Sequence, residues 1–94
     1  MARFEGRSFR GERLPVEGHE YINCNFEDCV MVFSGSDGPM TMTGNRFGRG
    51  ITWTFEGPAQ RTLVFLNALY HGMGDGGREQ VEEIFAAIRR ARPR

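Results

Sequence analysis

Residues 18–32 read GHEYI NCNFE DCVMV, and this stretch decides how the N-terminal half of the chain folds. His19, Cys24 and Cys29 recur in it every five residues. A bulky apolar residue follows each of them two places later; these residues are Tyr21, Phe26 and Met31. Short apolar and β-branched runs separated by polar turn residues are typical of strands. The pattern therefore predicts that residues 1–57 are rich in strands.

The five-residue period resembles the repeat of pentapeptide-repeat proteins, whose chains form a right-handed β-solenoid. The resemblance covers residues 19–33 and, more loosely, residues 43–55. It implies that the small residue and the bulky residue of each repeat both point inward. The two stretches align at an offset of roughly 20 residues, which is a usual length for one solenoid coil. The aligned pairs are Phe26 with Phe47, Cys24 with Asn45, Val30 with Ile51 and Val32 with Trp53.

A second interpretation of the same residues is a small twisted antiparallel sheet. Asp37-Gly38 lies between the two stretches and is a good hairpin signal. Ile51, Trp53 and Phe55 alternate with threonines, as in a half-buried strand. The strands of this sheet would cover residues 21–25, 30–34, 40–43 and 50–56. Both interpretations, the small sheet and a single-coil β-roll, stay open at this point.

The last third of the chain has the pattern of two helices. We expect the first over residues 59–70 and the second over residues 78–91, joined by a glycine-rich connector over residues 71–77. The predicted fold is therefore α+β, a small N-terminal β-sheet or single-coil β-roll followed by two C-terminal helices. We expect residues 1–94 to form a single domain, strand-rich over 1–57 and helical over 58–94. This layout resembles that of a group of short uncharacterised bacterial proteins.

Composition excludes several classes of function. The 94 residues have a net charge of zero and contain no Lys, which removes Schiff-base chemistry and the phosphate-loop lysine. No apolar run reaches the ~20 residues of a membrane span, and a balanced charge disfavours nucleic acid as a partner. We expect a soluble cytoplasmic protein with no cofactor, no membrane association and no enzymatic activity.

His19, Cys24 and Cys29 are the metal-ligand residue types that lie close together in the sequence. Structural zinc commonly takes four ligands, and the fourth would have to come from distant His71 or from an acid. Two thiols and two imidazoles also form Cys–His pairs by chance in a small domain, so they do not indicate a catalytic nucleophile. Free cysteine is among the most buried residue types. We therefore predict reduced, buried cysteines, no metal site and no catalytic residue.

Arg46, Phe47, Arg49 and Trp53 form a candidate ligand-binding cluster. Guanidinium groups bind phosphate with two hydrogen bonds and aromatic faces stack on bases, so this set suits a small anionic, nucleotide-like ligand. The alternative is that Phe47 and Trp53 belong to the core. In that case the two arginines pair with the acidic side chains of residues 17–37.

The first predicted helix is apolar around most of its circumference, so it must be covered on more than one side. Its candidate interface residues are Leu63, Phe65, Leu66, Leu69 and Tyr70. A chain this short gains burial by associating with further copies, so we expect a homo-oligomer. The function predicted from the sequence is a non-enzymatic, self-associating interaction or assembly module. The alternative is an oligomer that sequesters an anionic nucleotide-like metabolite.

Overall fold

A computed structural model describes residues 2–91. The chain divides into two compact units, one that ends at Gln60 and one that begins at Arg61. Within residues 2–91, neither helix combines the length and the apolar composition that a membrane span requires. The strands are β1 (Ala2–Glu5), β2 (Ser8–Arg10), β3 (Arg13–Pro15), β4 (His19–Ile22), β5 (Asn25–Glu27), β6 (Val30–Phe33), β7 (Met40–Thr43), β8 (Arg46–Phe47) and β9 (Thr52–Phe55). The helices are α1 (Gly57–Gly72) and α2 (Gly74–Arg90).

The strands form three parallel three-stranded sheets, in the orders β1-β4-β7, β2-β5-β8 and β3-β6-β9. Each sheet takes one strand from each of three successive turns of the chain, which we call coil 1 (β1–β3), coil 2 (β4–β6) and coil 3 (β7–β9). The mixed α+β class is thus confirmed, but the small single sheet and the single-coil roll are both wrong. Asp37-Gly38 makes no hairpin, because it joins β6 to β7 and these strands lie in different sheets.

The register between coils confirms part of the sequence alignment and corrects the rest. Phe26 pairs with Phe47, as the alignment predicts. In the third sheet Val30 pairs with Thr52 instead of Ile51, and Trp53 pairs with Met31 instead of Val32. One additional residue between β8 and β9 causes this slip. A one-residue slip reverses which side chains face inward, so Trp53 and not Thr52 continues an inner column.

The core of the coil unit consists of three columns of side chains, one for each sheet. They are Phe4–Tyr21–Met42, Phe9–Phe26–Phe47 and Leu14–Met31–Trp53. In the second column the rings of Phe9 and Phe26 stack at 5.3 Å and those of Phe26 and Phe47 at 5.1 Å, within about 11° of parallel. Each middle residue is fully buried, because the coil below and the coil above both cover it.

Cys24 and Cys29 are free and buried beside these columns, as the sequence predicts. The Cys24 thiol lies 3.4 Å from the carbonyl oxygen of Phe4, to which it donates a hydrogen bond. The Cys29 thiol donates to the carbonyl oxygen of Glu27 at 3.2 Å. Free cysteine behaves as a small apolar residue with a weak S–H donor, and here that donor finds a partner in the nearby backbone.

Left-handed backbone conformations mark the corners between strands. Asn23 and Asp28 have φ values of 53° and 51°, and Gly44 and Gly50 have 67° and 69° one coil further on. A Cβ atom on Gly44 would collide with Oδ1 of Asn23, and one on Gly50 would collide with Oδ1 of Asp28. Glycine at these corners of coil 3 adopts the left-handed φ without strain and leaves room for the Asn23 and Asp28 side chains of coil 2. Asn and Asp, which hold the same corners in coil 2, are the other residue types that tolerate this φ.

Glu17 is the buried carboxylate of the coil unit. It accepts hydrogen bonds from the backbone N–H groups of Ser34, Gly35 and Ser36 at distances between 2.7 and 3.1 Å. Burial raises the pKa of the Glu17 carboxyl, but the hydrogen bonds from Ser34, Ser36 and Gly35 outweigh burial and hold the pKa below its ordinary value. Glu17, which follows coil 1, thus stabilises the turn at residues 34–36, which follows coil 2.

The helices begin and end at different residues from those predicted. Met73 alone separates α1 from α2, so the glycine-rich stretch from Gly74 to Gly77 is helical and not a connector. A Cβ atom on Gly77 would collide with the carbonyl oxygen of Leu69. Glycine lowers helix propensity by about 1 kcal/mol relative to alanine. At position 77 glycine lets α2 approach α1 closely next to Met73. Helix propensity alone does not predict this close approach.

Candidate interaction surfaces

Helix α1 has no buried residue, although its composition is that of a core helix. The predicted interface residues divide between two of its sides. Leu63, Leu66 and Tyr70 line a groove between α1 and α2, whereas Phe65 and Leu69 lie outside that groove. Phe65 is 59% exposed. The structure therefore leaves apolar side chains exposed on more than one side of the helix.

The groove of about 350 Å³ lies within the helical unit, with walls from both helices. Val81 and Phe85 of α2 face Leu63 and Leu66 of α1 across it. At its edge the Tyr70 hydroxyl donates a hydrogen bond to a Glu82 carboxylate oxygen at 3.1 Å. The lining is predominantly apolar with a few polar groups at the margin, and such a surface suits an apolar side chain of a partner.

The apolar stripe of α2 extends beyond its contact with α1. Val81 is buried and Ile84 is half-buried, but Phe85 and Ile88 are exposed, Ile88 by 61%. Residues four and seven apart on a helix share a face, so these side chains form one continuous stripe. No interface residue was predicted on α2, although Val81, Ile84, Phe85 and Ile88 have the spacing of one helical face in the sequence.

The two ends of the coil unit differ in chemistry. At coil 1 the Arg7 guanidinium lies over the rings of Phe4 and Phe9, at 5.2 and 5.5 Å from their centres. At coil 3 Phe47 and Trp53 are 40% and 50% exposed, and their ring centres lie 5.2 Å apart. Terminal units of stacked-repeat proteins usually present a polar outer surface, whereas coil 3 exposes two aromatic rings.

The predicted ligand cluster is only partly assembled. Phe47 and Trp53 are in contact, and Phe47 continues the inner column above Phe26. Arg46 instead lines a shallow groove of about 350 Å³ on the second sheet, next to Glu27. Neighbouring residues of a strand point to opposite sides, so Arg46 and Phe47 do not share a surface. Arg49 contributes its carbonyl oxygen to the Asp28 N–H at 2.8 Å.

The acidic side chains of coil 2 pair with arginines of coil 1. Arg3 contacts Glu20 at 3.5 Å, and Arg10 contacts Glu27 at 3.2 Å. Arg46 and Arg49 form no ion pair with any residue between 2 and 91. Both ion pairs follow the register between coils 1 and 2, because Arg3 is paired with Glu20 and Arg10 with Glu27 across adjacent strands.

The residues considered as metal ligands have other roles. The Nδ1 atom of His19 accepts a hydrogen bond from the Ala2 N–H at 3.2 Å, and the two cysteine thiols are occupied by the backbone. In the described part of the chain, no three His, Cys, Asp or Glu side chains come together as a metal site.

Comparison of the chain with family models, with curated proteins and with solved structures finds no match in any of the three. The function has to be inferred from the chemistry of the surfaces. Exposed apolar side chains concentrate on the helical unit and at the coil 3 end. Contiguous exposed apolar patches on soluble proteins mark interaction sites.

Proposed function

We propose that this protein is a non-enzymatic, self-associating module that assembles with further copies through its helical unit. The observation that carries the proposal is α1, which has no buried residue while Val64 and Phe65 are 62% and 59% exposed. Leaving such side chains in water forfeits about 25 cal/mol for each Å² of apolar surface that a partner would cover. Association supplies that cover, as expected for a chain too short to bury a large core.

A two-helix hairpin gains little stability by itself. Most helical stability in proteins comes from packing an apolar face against a neighbour. In residues 61–91 the buried residues are Gly77, in the first turn of α2, and Val81, near its middle. Two such hairpins together make a four-helix bundle, in which a helix that is apolar on two sides is covered on both. Self-association therefore explains the composition of α1.

Native mass spectrometry of the purified chain tests this proposal, because one spectrum reports subunit number and any retained small molecule. We expect a multimer without added mass. Phe65→Glu should convert it to a monomer whose circular dichroism is unchanged, since a charge at an interface is costly and a charge at an exposed position is not. Gln60→Glu, at an exposed polar position of α1, is the matched control and should leave the multimer intact. A wild-type monomer at micromolar concentration would disprove the proposal.

The second candidate function is a homo-oligomer that sequesters an anionic, nucleotide-like ligand. It is favoured by the exposed ring pair of Phe47 and Trp53 and by Arg49, which lies in the loop between them and forms no ion pair among the described residues. Arg46 also forms no such pair, but it lies on the opposite side of β8 from Phe47. Trp53 is the single tryptophan, so its fluorescence reports directly on ligand stacking. Titration with adenosine monophosphate should quench it, and the Arg46→Ala, Arg49→Ala double variant should lose the response. An equal response in that variant would rule out this candidate.

A further inference from the structure

We infer that helix α2 is the centre of the self-association surface and that it pairs with α2 of a second copy in antiparallel orientation, with the two helices crossing near Phe85. This inference rests on the proposed function and specifies its partner and geometry. Three features of α2 support it. Its apolar stripe continues beyond the contact with α1. Acidic side chains lie in its first half and basic side chains in its last turn, and Glu82 and Arg89 are spaced so that two antiparallel copies bring opposite charges together.

The apolar stripe shows where the partner lies. α2 is in contact with α1 near Gly77 and Val81, and beyond them Phe85 and Ile88 are exposed. The groove between Leu63 and Phe85 opens alongside this exposed part of the stripe. If the apolar stripe of α2 only packed against α1, the stripe would end where the contact between the two helices ends. The exposed half therefore has the composition of a helix–helix interface without its second helix.

The charges of α2 indicate a second copy in antiparallel orientation. Glu79, Glu82 and Glu83 lie in the first half of the helix, whereas Arg89 and Arg90 lie in the last turn. Two parallel copies would place acid against acid and base against base. Two antiparallel copies place the acidic half of each against the basic half of the other. Electrostatic complementarity of this kind selects orientation in paired helices.

The spacing of Glu82 and Arg89 locates the crossing. They are two helical turns apart, so both side chains lie on the same flank of α2. Arg89 forms no ion pair within residues 2–91, whereas Arg90 already pairs with Glu83 at 3.4 Å. A two-fold axis midway between them, between Phe85 and Ala86, brings Glu82 opposite Arg89 of the partner subunit and Arg89 opposite Glu82 of the partner subunit. In a symmetric interface both pairs form together.

Charge reversal tests the inference. Glu82→Arg and Arg89→Glu are expected to weaken self-association about tenfold to thirtyfold each, because two weak attractions become two weak repulsions. An equimolar mixture of the two variants should recover a one-to-one heterodimer, and the double variant should recover a homodimer. Analytical ultracentrifugation gives the affinities, and native mass spectrometry separates the heterodimer by mass. Glu5→Arg, on the exposed side of β1, is the control for a change of net charge and should have no effect.

Failure of the inference is distinguishable from failure of the proposed function. A wild-type monomer would overturn both. A wild-type multimer that both charge variants leave unchanged would overturn the antiparallel α2 pairing and keep self-association. Weakening by each variant without recovery in the mixture would also overturn the pairing. Arg89→Glu removes no contact within the described chain, so its circular dichroism should match that of the wild type. Glu82→Arg loses only the exposed hydrogen bond from Tyr70.

Discussion

The helical unit carries a higher proportion of apolar residues than the coil unit but buries far fewer of them. Nearly all of the buried apolar side chains belong to the coils: Phe9, Leu14, Val16, Tyr21, Cys24, Phe26, Cys29, Met31 and Val32. Of the apolar side chains in the helical unit, Val81 alone is buried within the described residues. A stack of coils supplies each inward side chain with a neighbour from the same chain. The hairpin of two helices covers Val81 and leaves its other apolar side chains half-buried or exposed, so they require a partner.

The largest expected difference between the units is the response to loss of a phenylalanine ring. Phe26→Ala removes the middle ring of a stacked column and should lower the free energy of unfolding by about 3–5 kcal/mol. Phe65→Ala, at a 59% exposed position, should change it by less than about 0.5 kcal/mol in dilute, monomeric protein. Urea unfolding followed by circular dichroism measures both. Equal losses would mean that α1 has an intramolecular core of its own.

Glu17→Gln tests the buried charge between coils. Oε2 of Glu17 accepts from all three N–H groups and Oε1 from Ser34 alone. An amide removes the negative charge and places an N–H donor against one of these backbone donors, so we expect a loss of about 2 kcal/mol. The folded-state pKa of Glu17 is lowered, so its contribution is fully present above the unfolded-state pKa and is lost as pH falls through the folded-state pKa. The stability of wild type should therefore decrease in acid more steeply than that of Glu17→Gln.

Glu5→Gln is the matched control, because Glu5 is exposed. Its stability should stay within about 0.5 kcal/mol of wild type. If Glu17→Gln and Glu5→Gln have the same stability and the same acid dependence, the hydrogen bonds of Glu17 do not hold the loop in solution. Thermal unfolding at a series of pH values from neutral to acid makes the comparison.

Two glycines in α2 allow the effect of helix packing on stability to be measured separately from the effect of helix propensity. Gly77→Ala should destabilise the helical unit, because the new methyl group collides with the Leu69 carbonyl oxygen. Gly76→Ala has open space at the same helix and should stabilise it by about 0.5–1 kcal/mol, which is the propensity difference. The mean residue ellipticity and the melting temperature measure the destabilisation by Gly77→Ala and the stabilisation by Gly76→Ala. Stabilisation by both substitutions would show that the helices do not approach at Gly77.

The smallest expected effect is that of the ion pair between coils 1 and 2. Arg10 and Glu27 lie 3.2 Å apart, but both side chains are largely exposed. Arg10→Ala should cost less than about 0.5 kcal/mol, since exposed pairs gain little over their interactions with water. A double-mutant cycle with Glu27→Ala measures the coupling. A coupling energy well above this value would mean that the pair helps to set the register between the coils.

Several features of the fold were predictable from local pattern. The five-residue period predicted strands over residues 19–33, where the structure has β4, β5 and β6, but the predicted strand over residues 21–25 runs across the corner at Asn23 and Cys24. The buried cysteines follow from the same pattern. Coil 1 was not recognised, although Phe4, Phe9 and Leu14 have the same spacing as the bulky residues of coil 2. The sheet type was wrong because strand periodicity is the same in parallel and antiparallel pairs, and the pairing itself lies outside any local window.

The candidate sites were also predictable only as far as they depend on local sequence. Apolar residues occur around most of α1, which predicted that other parts of the protein pack against more than one of its sides. Within the described residues, no residue of α1 is buried. The cluster of Arg46, Phe47, Arg49 and Trp53 was inferred from closeness in sequence. β8 instead points Arg46 outward and Phe47 into the column above Phe26. Which face a strand residue occupies depends on register, and one additional residue before β9 changed it for Trp53.

The sequence by itself determined the strand-rich first half, the helical last third, the burial of Cys24 and Cys29, and the excess of apolar surface on α1. These features depend on residue type and on spacing within a few positions. Only the tertiary structure decided that the strands wind into three stacked coils, that Glu17 is held by the next turn of the chain, and that α2 exposes Phe85 and Ile88. Contacts between residues a whole coil apart depend on how each turn of the chain closes, and local propensity does not encode that geometry.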